Sequence, residues 1–194
     1  YINDIVHPLN LMAKLTMQDQ RFSKVKCTTQ FIVGASDEPD SEIIESMFGI
    51  YGRLKFQRVY FSAYQKGLGH PDIPGEKRLL PDTQNIFMRE HRLYQTDFLI
   101  RRYGFKNEDI VFDKSGNLSL DKDPKQIWAD THPEFYPIRI NSADKEALLR
   151  VPGLGLDSVS RILQARREKK ISRVEDLEIK GRRLEKIKQY AVCG

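Results

Sequence analysis

NSADKEALLRVPGLGLDSVSRIL, residues 141–163, predicts two short helices joined by a tight turn and so decides the fold of this part of the chain. Asn141 followed three residues later by Asp144 is typical of a helix start, with Asn as the N-cap. Pro152 must end the first helix, and the two glycines after it allow a sharp turn. A second helix is expected from about Leu156, with its apolar face turned inward.

The excess positive charge of the chain lies around this stretch. Residues 137–194 contain 14 Lys and Arg against 8 Asp and Glu, a net +6, while the whole chain carries +5. The preceding 136 residues are therefore close to neutral, at −1. A compact basic end on a neutral body indicates a module that binds a polyanion.

The pattern Asn141-x-Ala143-x4-Leu148-x2-Val151-Pro152-Gly153-Leu154-Gly155-x6-Ile162 resembles the helix-hairpin-helix family. The resemblance implies that backbone N–H groups of the turn hold a nucleic-acid phosphate, at a helix N-terminus whose dipole favours an anion. Contacts of this kind fix position without reading bases. The residues expected to bind the DNA backbone are Val151, Gly153, Leu154, Gly155, Arg161, Arg166, Arg167, Lys170, Arg182 and Arg183.

A second, degraded copy of the motif is expected between Val174 and Tyr190, with Ile179-Lys180-Gly181 as its turn. Tandem pairs of this kind resemble the DNA-binding domain of the competence-protein type. Arg182-Arg183 stands where a further apolar residue and glycine would follow the family pattern. The alternative interpretation is that the paired motifs form only a scaffold or a protein contact.

The first half of the chain predicts a βαβ unit. Residues 28–34 form an apolar, β-rich run closed by glycine, and residues 58–64 form a second such run. Between them, apolar residues recur at helical spacing from Ile43 to Tyr51, after helix-start signals at Asp37 to Asp40. Strand, helix and strand within about 37 residues indicate two parallel strands with a crossover helix.

The sequence of that unit resembles part of the radical S-adenosylmethionine superfamily. Residues 30–38 are similar to its fifth-strand motif, which implies that Gly34, Ala35 and Glu38 lie beside bound S-adenosylmethionine. The motifs at 58–64, 89–97, 103–105, 123–129 and 132–133 then follow in the order found in radical S-adenosylmethionine proteins of DNA modification or repair. Those proteins are similar to spore photoproduct lyase-like enzymes and are linked to a uracil-DNA-glycosylase-like partner.

The cluster-binding part of that superfamily is missing from this sequence. Cys27 and Cys193 are its only cysteines, so the three clustered cysteines that hold a [4Fe-4S] cluster in the family would lie outside this chain. The resemblance therefore implies a partial (β/α) barrel, completed by an N-terminal half or a partner chain. No metal-ligand spacing is present in the 194 residues, and catalytic residues are not identified.

The expected fold class is α/β plus all-α. The expected domains are an unassigned segment at 1–27, a barrel fragment at 28–112, a connecting segment with a short helix at 113–136 and the helix-hairpin-helix domain at 137–194. No apolar run is long enough to span a membrane, and two distant cysteines favour a reducing, cytoplasmic compartment. Two other functions stay open: a non-enzymatic DNA-binding adaptor, and a protein-interaction module with the α/β part as scaffold.

Overall fold

A computed structural model describes residues 2–67, 69–77, 80–177 and 179–194 of the chain. It is a mixed fold of helices and two small parallel sheets. The helices are α1 (His7–Gln18), α2 (Asp40–Gly52), α3 (Leu80–Tyr103), α4 (Pro124–Thr131), α5 (Lys145–Arg150), α6 (Leu156–Glu168) and α7 (Arg182–Tyr190). The strands are β1 (Thr28–Val33), β2 (Arg58–Ala63), β3 (Ile138–Arg139) and β4 (Ala191–Val192). Within the described ranges, no helix has the length and apolar character needed to cross a bilayer.

The chain divides into two compact units. The first comprises residues 1–97 and 112–120, and the second comprises residues 98–111 and 121–194. The second unit thus contains the whole of the basic range 137–194, together with two earlier segments. Asp123 caps α4 through the Gln126 N–H at 2.8 Å, and Pro124 is the first residue of that helix, as the sequence predicts.

The predicted βαβ unit is confirmed in the first unit. β1 and β2 pair in parallel, from Thr28 opposite Arg58 to Val33 opposite Ala63, and α2 connects them. One face of the sheet is buried, and it contains Val59 and Phe61. The other face exposes Ile32 and Tyr60, which is unusual because parallel strands are normally covered on both faces.

Side chains occupy the edge of β2 that faces away from β1. The Val59 N–H donates to the Tyr51 hydroxyl at 2.9 Å, and the Ala63 N–H donates to the Glu90 carboxylate at 2.7 Å. Between them, the Tyr94 hydroxyl accepts from the Phe61 N–H at 3.0 Å and donates to the Phe61 carbonyl at 2.8 Å. These groups are the ones a further strand would pair with, so the sheet ends at β2.

The second unit is built around the α5–α6 pair. Its buried core consists of Ile138, Ile140, Leu148, Leu149, Val151, Leu154, Val159, Ile162, Ile171, Val174, Ile179, Ile187 and Ala191. β3 pairs in parallel with β4, so the start and the end of the basic range lie side by side. The predicted second helix begins at Leu156, as expected.

The prediction that Asn141 caps α5 is wrong. The N-cap is Asp144, whose carboxylate accepts from the Ala147 N–H at 2.7 Å. The Asn141 side chain instead bonds to backbone groups that are distant in sequence. Its amide nitrogen donates to the carbonyls of Ile171 and Cys193, at 2.9 and 2.5 Å. Its amide oxygen accepts from the Ile171 N–H at 2.9 Å. The amide therefore connects three segments of the second unit rather than one helix end.

Candidate nucleic-acid interface

The turn between α5 and α6 is shaped by packing against α7. Gly153 adopts φ +92°, a conformation that favours glycine. A Cβ there would lie 2.9 Å from the Arg183 carbonyl oxygen and 3.0 Å from Ile187 Cγ1, so a side chain at this position would collide with α7. Val151 and Leu154 are buried in the core. Backbone groups of the turn also bond within the protein, since the Leu154 N–H donates to the Val151 carbonyl at 3.1 Å.

A tyrosine hydroxyl stands at the N-terminus of α6. Gly155 is the N-cap of α6 and supplies no side-chain cap. A Cβ on Gly155 would lie 3.3 Å from that hydroxyl oxygen. Burial raises the pKa of Tyr103, so the hydroxyl is neutral at physiological pH. No pattern in the sequence pointed to this contact, because Tyr103 belongs to the end of α3.

A buried lysine completes the surroundings of the turn. Lys125, on α4, is only 7% exposed, and its Nζ donates to the Leu154 carbonyl at 2.6 Å. The same ammonium lies 4.7 Å from the centre of the Tyr103 ring. Burial lowers the pKa of Lys125 to about 7; the Asp123 carboxylate opposes this shift and the Arg183 guanidinium adds to it.

Two of the arginines predicted to bind DNA hold the fold together. The Arg166 guanidinium donates to the carbonyls of Ile140 and Ala143 at 3.0 and 2.6 Å. Arg183 donates to the Gly153 carbonyl from Nε at 3.2 Å and from Nη2 at 3.0 Å, and also to the Ser158 hydroxyl at 3.2 Å. Both side chains are therefore committed to the α5–α6 pair and its turn.

The other predicted cations point to solvent. Arg161, Arg167, Lys170 and Arg182 are exposed, as is Lys169 beside them. Within the described part of the chain, no carboxylate lies within ion-pair distance of these five side chains. Lys186 and Lys188 differ, because they pair with Asp123 at 3.6 Å and with Glu175 at 2.7 Å. We call the five side chains Arg161, Arg167, Lys169, Lys170 and Arg182 the exposed basic set.

The predicted second copy of the motif has only one regular helix. Residues Val174–Leu177 form a single 3₁₀ turn where a first helix was expected. α7 begins at Arg182, directly after Gly181 at φ +63°, and no side chain caps it. Two arginines thus occupy the first two positions of α7, where the helix dipole disfavours positive charge unless an anion is near.

The residues predicted to lie beside S-adenosylmethionine follow β1. Gly34 is buried at φ +84°, and its carbonyl oxygen lies 2.6 Å from where a Cβ on Gly75 would be. The Ala35 carbonyl accepts from the Gly75 N–H at 3.1 Å. The loop after β2 therefore covers both residues, which leaves Gly34 no surface for a ligand.

Glu38 is more accessible than Gly34. Its side chain accepts from the Ser36 hydroxyl, and its backbone carbonyl accepts from Arg89 at 2.5 Å. Glu38 and Ser36 line a cavity of about 650 Å³ that runs along β1 from Thr29 to Ile32 and is also bordered by α1 and α2. A cavity of this size lies in the range of small-molecule sites.

The described residues contain no group of three His, Cys, Asp or Glu side chains placed to hold a metal ion. Cys27 belongs to the first unit and Cys193 to the second. No protein-family model matches this chain, and neither a curated protein nor a solved structure is significantly similar to it.

Proposed function

We propose that the second unit binds the phosphate backbone of DNA without reading its sequence. The observation that supports this most directly is the exposed basic set, which includes four of the ten residues expected to bind DNA. Cations that pair with a carboxylate of the protein attract a polyanion less, because the carboxylate offsets their charge. Those without a carboxylate partner in the described chain can release counterions from nucleic acid when they bind it.

The geometry divides nine of the ten expected residues into three groups and leaves Gly155 apart, at the start of α6. Val151 and Leu154 shape the turn from the core, and Gly153 allows α7 to approach it. Arg166 and Arg183 hold the turn and its flanking segments through backbone carbonyls. Arg161, Arg167, Lys170 and Arg182 are the residues proposed to meet phosphates. Gly155 is the N-cap of α6 and lies beside the Tyr103 hydroxyl.

Sequence independence is the testable part of this proposal. The intact chain should bind two duplexes of equal length and unrelated sequence with Kd values within about twofold of each other, since phosphate contacts carry no base information. Fluorescence anisotropy at one fixed salt concentration measures both. A preference of about a hundredfold for one sequence would contradict backbone binding and indicate base contacts.

A second proposal concerns the first unit, and it follows the resemblance described above. We propose that β1 and β2 are the last two strands of a partial (β/α) barrel in a radical S-adenosylmethionine protein of DNA repair or modification. Two observations support it: side chains close the sheet at β2, and one face of the parallel pair is uncovered. An N-terminal half or a partner chain would cover that face.

The two implied cofactors, S-adenosylmethionine and a [4Fe-4S] cluster, differ in how well the described residues fit them. Glu38 and Ser36 fit a small-molecule ligand because they line the cavity along β1, whereas the covered Gly34 does not fit. A [4Fe-4S] cluster does not fit the described residues, which lack three grouped ligands, so its ligands would be supplied from elsewhere. We expect anaerobic reconstitution of this chain alone to give no stoichiometric [4Fe-4S] absorption, and such a spectrum would overturn that expectation.

Two other functions remain candidates for the same chain. A DNA-binding adaptor would bind duplexes as above but would not bind S-adenosylmethionine, which equilibrium dialysis measures. A protein-interaction module would bind neither. A uracil-DNA-glycosylase-like protein is the proposed partner for the repair function, and co-purification of the two proteins would test it.

A further inference from the structure

The outer edge of β1, which faces away from β2, is not closed by side chains of the described residues in the way that the outer edge of β2 is. We propose that this edge binds one extended segment of another polypeptide chain, which adds to the sheet as a third strand. The inference concerns the first unit alone. It depends neither on DNA binding by the second unit nor on the cofactors proposed for the first.

The backbone groups of β1 alternate between its two edges. The Val33 carbonyl accepts from the Tyr64 N–H at 2.9 Å, so Val33 faces β2. Successive residues of a strand direct their N–H and C=O groups to opposite edges. The residues of β1 whose backbone groups face away from β2 are therefore Thr28, Gln30 and Ile32.

Most of these outward-facing groups have no partner in the protein. The Ile32 carbonyl accepts from the Ala35 N–H at 3.2 Å. Within the described ranges, the Ile32 N–H and both backbone groups of Thr28 and Gln30 make no hydrogen bond to another protein group. Donors and acceptors thus alternate along about 13 Å of strand, a pattern that a second extended backbone matches.

The cavity along β1 gives such a segment room. It is bordered by residues 29–32 of β1, by α1 and by α2, but by no residue of β2, all of which the structure describes. The cavity therefore lies beside the outer edge, and an extended segment of about four residues has the length of the bordering stretch. The small molecule proposed above would bind at the end formed by Ser36 and Glu38, and the segment would bind along the strand.

The two ends of the cavity carry opposite charge. Glu42 lies in the first turn of α2, beyond the carboxyl end of β1, and Arg53 follows the last residue of that helix. Both side chains are exposed, and neither has an ion-pair partner in the described part of the chain. The matching segment therefore carries a basic side chain near Glu42 and an acidic one near Arg53.

A synthetic peptide tests the edge directly. The probe has about eight residues and blocked ends, with alternating valine and threonine between a lysine at one end and a glutamate at the other. We expect the intact chain to bind it with a Kd of about 0.1 mM or tighter, measured by fluorescence anisotropy. The same peptide with every amide N-methylated lacks the N–H donors and should bind at least about tenfold more weakly. Equal affinity of the two peptides, or no binding of the first, would overturn the inference.

Two charge reversals on α2 form a matched pair. Glu42→Lys should weaken binding of the peptide about three- to tenfold, because it replaces attraction of the peptide lysine by repulsion. Glu45→Lys makes the same change at an exposed position that does not border the cavity, and it should leave the affinity within about twofold. Equal weakening by both would contradict binding along the cavity.

Amide hydrogen exchange locates the peptide on the wild-type chain without any substitution. The N–H groups of Thr28, Gln30 and Ile32 should exchange rapidly in the unbound chain and become protected in the complex, because they gain carbonyl acceptors. Those of Phe31 and Val33 face β2 and should be protected in both states. If the peptide binds while the three outer amides keep their rapid exchange, the inference is wrong.

Discussion

Arg182 and Arg183 are neighbours in sequence with different roles. Arg183 donates to the Gly153 carbonyl and the Ser158 hydroxyl, while Arg182 is exposed. We expect Arg183→Ala to lower the free energy of unfolding by about 1 kcal/mol, the usual net value of such hydrogen bonds at a partly exposed site.

Arg182→Ala is the matched control for that loss of stability. It should leave the free energy of unfolding within about 0.5 kcal/mol of wild type. The slope of log Kd against log salt should become shallower by about the contribution of one phosphate contact. Urea unfolding and anisotropy titrations measure the two effects. Equal destabilisation by both substitutions would show that the hydrogen bonds of Arg183 with the turn add nothing.

Lys125 makes stability depend on pH. Its pKa is about 7 in the folded chain and about 10.5 unfolded, so the unfolded chain binds more protons between these values. The contribution of this group therefore raises stability as pH increases above 7, by about 2 kcal/mol between about pH 7 and 9. Lys125→Met should remove that rise, measured as the difference between urea unfolding at the two pH values. Parallel pH profiles for the two proteins would contradict the lowered pKa.

Local sequence signals predicted the role of some residues correctly. They failed where the hydrogen-bond or packing partner of the residue is distant in sequence. Asp123 before Pro124 was sufficient to place the start of α4, since both capping partners are local. Asn141 and Asp144 both suit an N-cap, and only the hydrogen bonds of Asn141 with Ile171 and Cys193 decide between them. The position of Tyr103 beside Gly155 was missed for the same reason, because the two residues are 52 positions apart.

At the scale of elements, the sheet edge at β2 is the feature with the clearest consequence. The Tyr94 hydroxyl satisfies both the N–H and the carbonyl of Phe61. Tyr94→Phe would leave these groups without that partner, and we expect a loss of about 1–3 kcal/mol in the free energy of unfolding.

Tyr60→Phe is the control for the sheet edge, because it removes a hydroxyl from the exposed face of β2 and should change stability by less than about 0.5 kcal/mol. Thermal or urea unfolding compares the two variants. If Tyr94→Phe is as stable as Tyr60→Phe, the side-chain closure of β2 contributes little and the edge is open to another strand.

The elements themselves were largely predictable. The apolar runs and helical spacing predicted β1, α2 and β2 correctly, because each is coded by its own residues. The expected first helix of the second copy is only a 3₁₀ turn, Val174–Leu177, because the chain soon has to place Ile179 in the core of the second unit. The helical spacing of the sequence alone does not show that burial of Ile179 overrides the local helix pattern.

For the whole molecule, the division into two units changes how the binding experiment is designed. Residues 98–111 and 121–136 belong to the same compact unit as the basic range. Arg150 pairs with Asp109 at 2.9 Å and lies 4.2 Å from the ring centre of Trp128. A fragment starting at Pro137 would lack both Asp109 and Trp128, so DNA binding should be measured with the intact chain.

The measurement that tests DNA binding most directly is a salt titration of matched triple variants. Arg161, Arg167 and Lys170 are changed to Ala in one protein; Lys14, Lys24 and Lys26, which are exposed in the first unit, are changed in the other. Both proteins lose the same net charge. Anisotropy with one duplex, between about 50 and 200 mM salt, gives the slope of log Kd against log salt for each.

We predict that the first variant loses at least about tenfold in affinity and that its salt slope becomes shallower by about two to three, because each neutralised phosphate contributes about one unit to the slope. The control should keep the wild-type slope. Equal loss of affinity in the two variants, or wild-type binding that does not change with salt, would contradict backbone binding by the second unit.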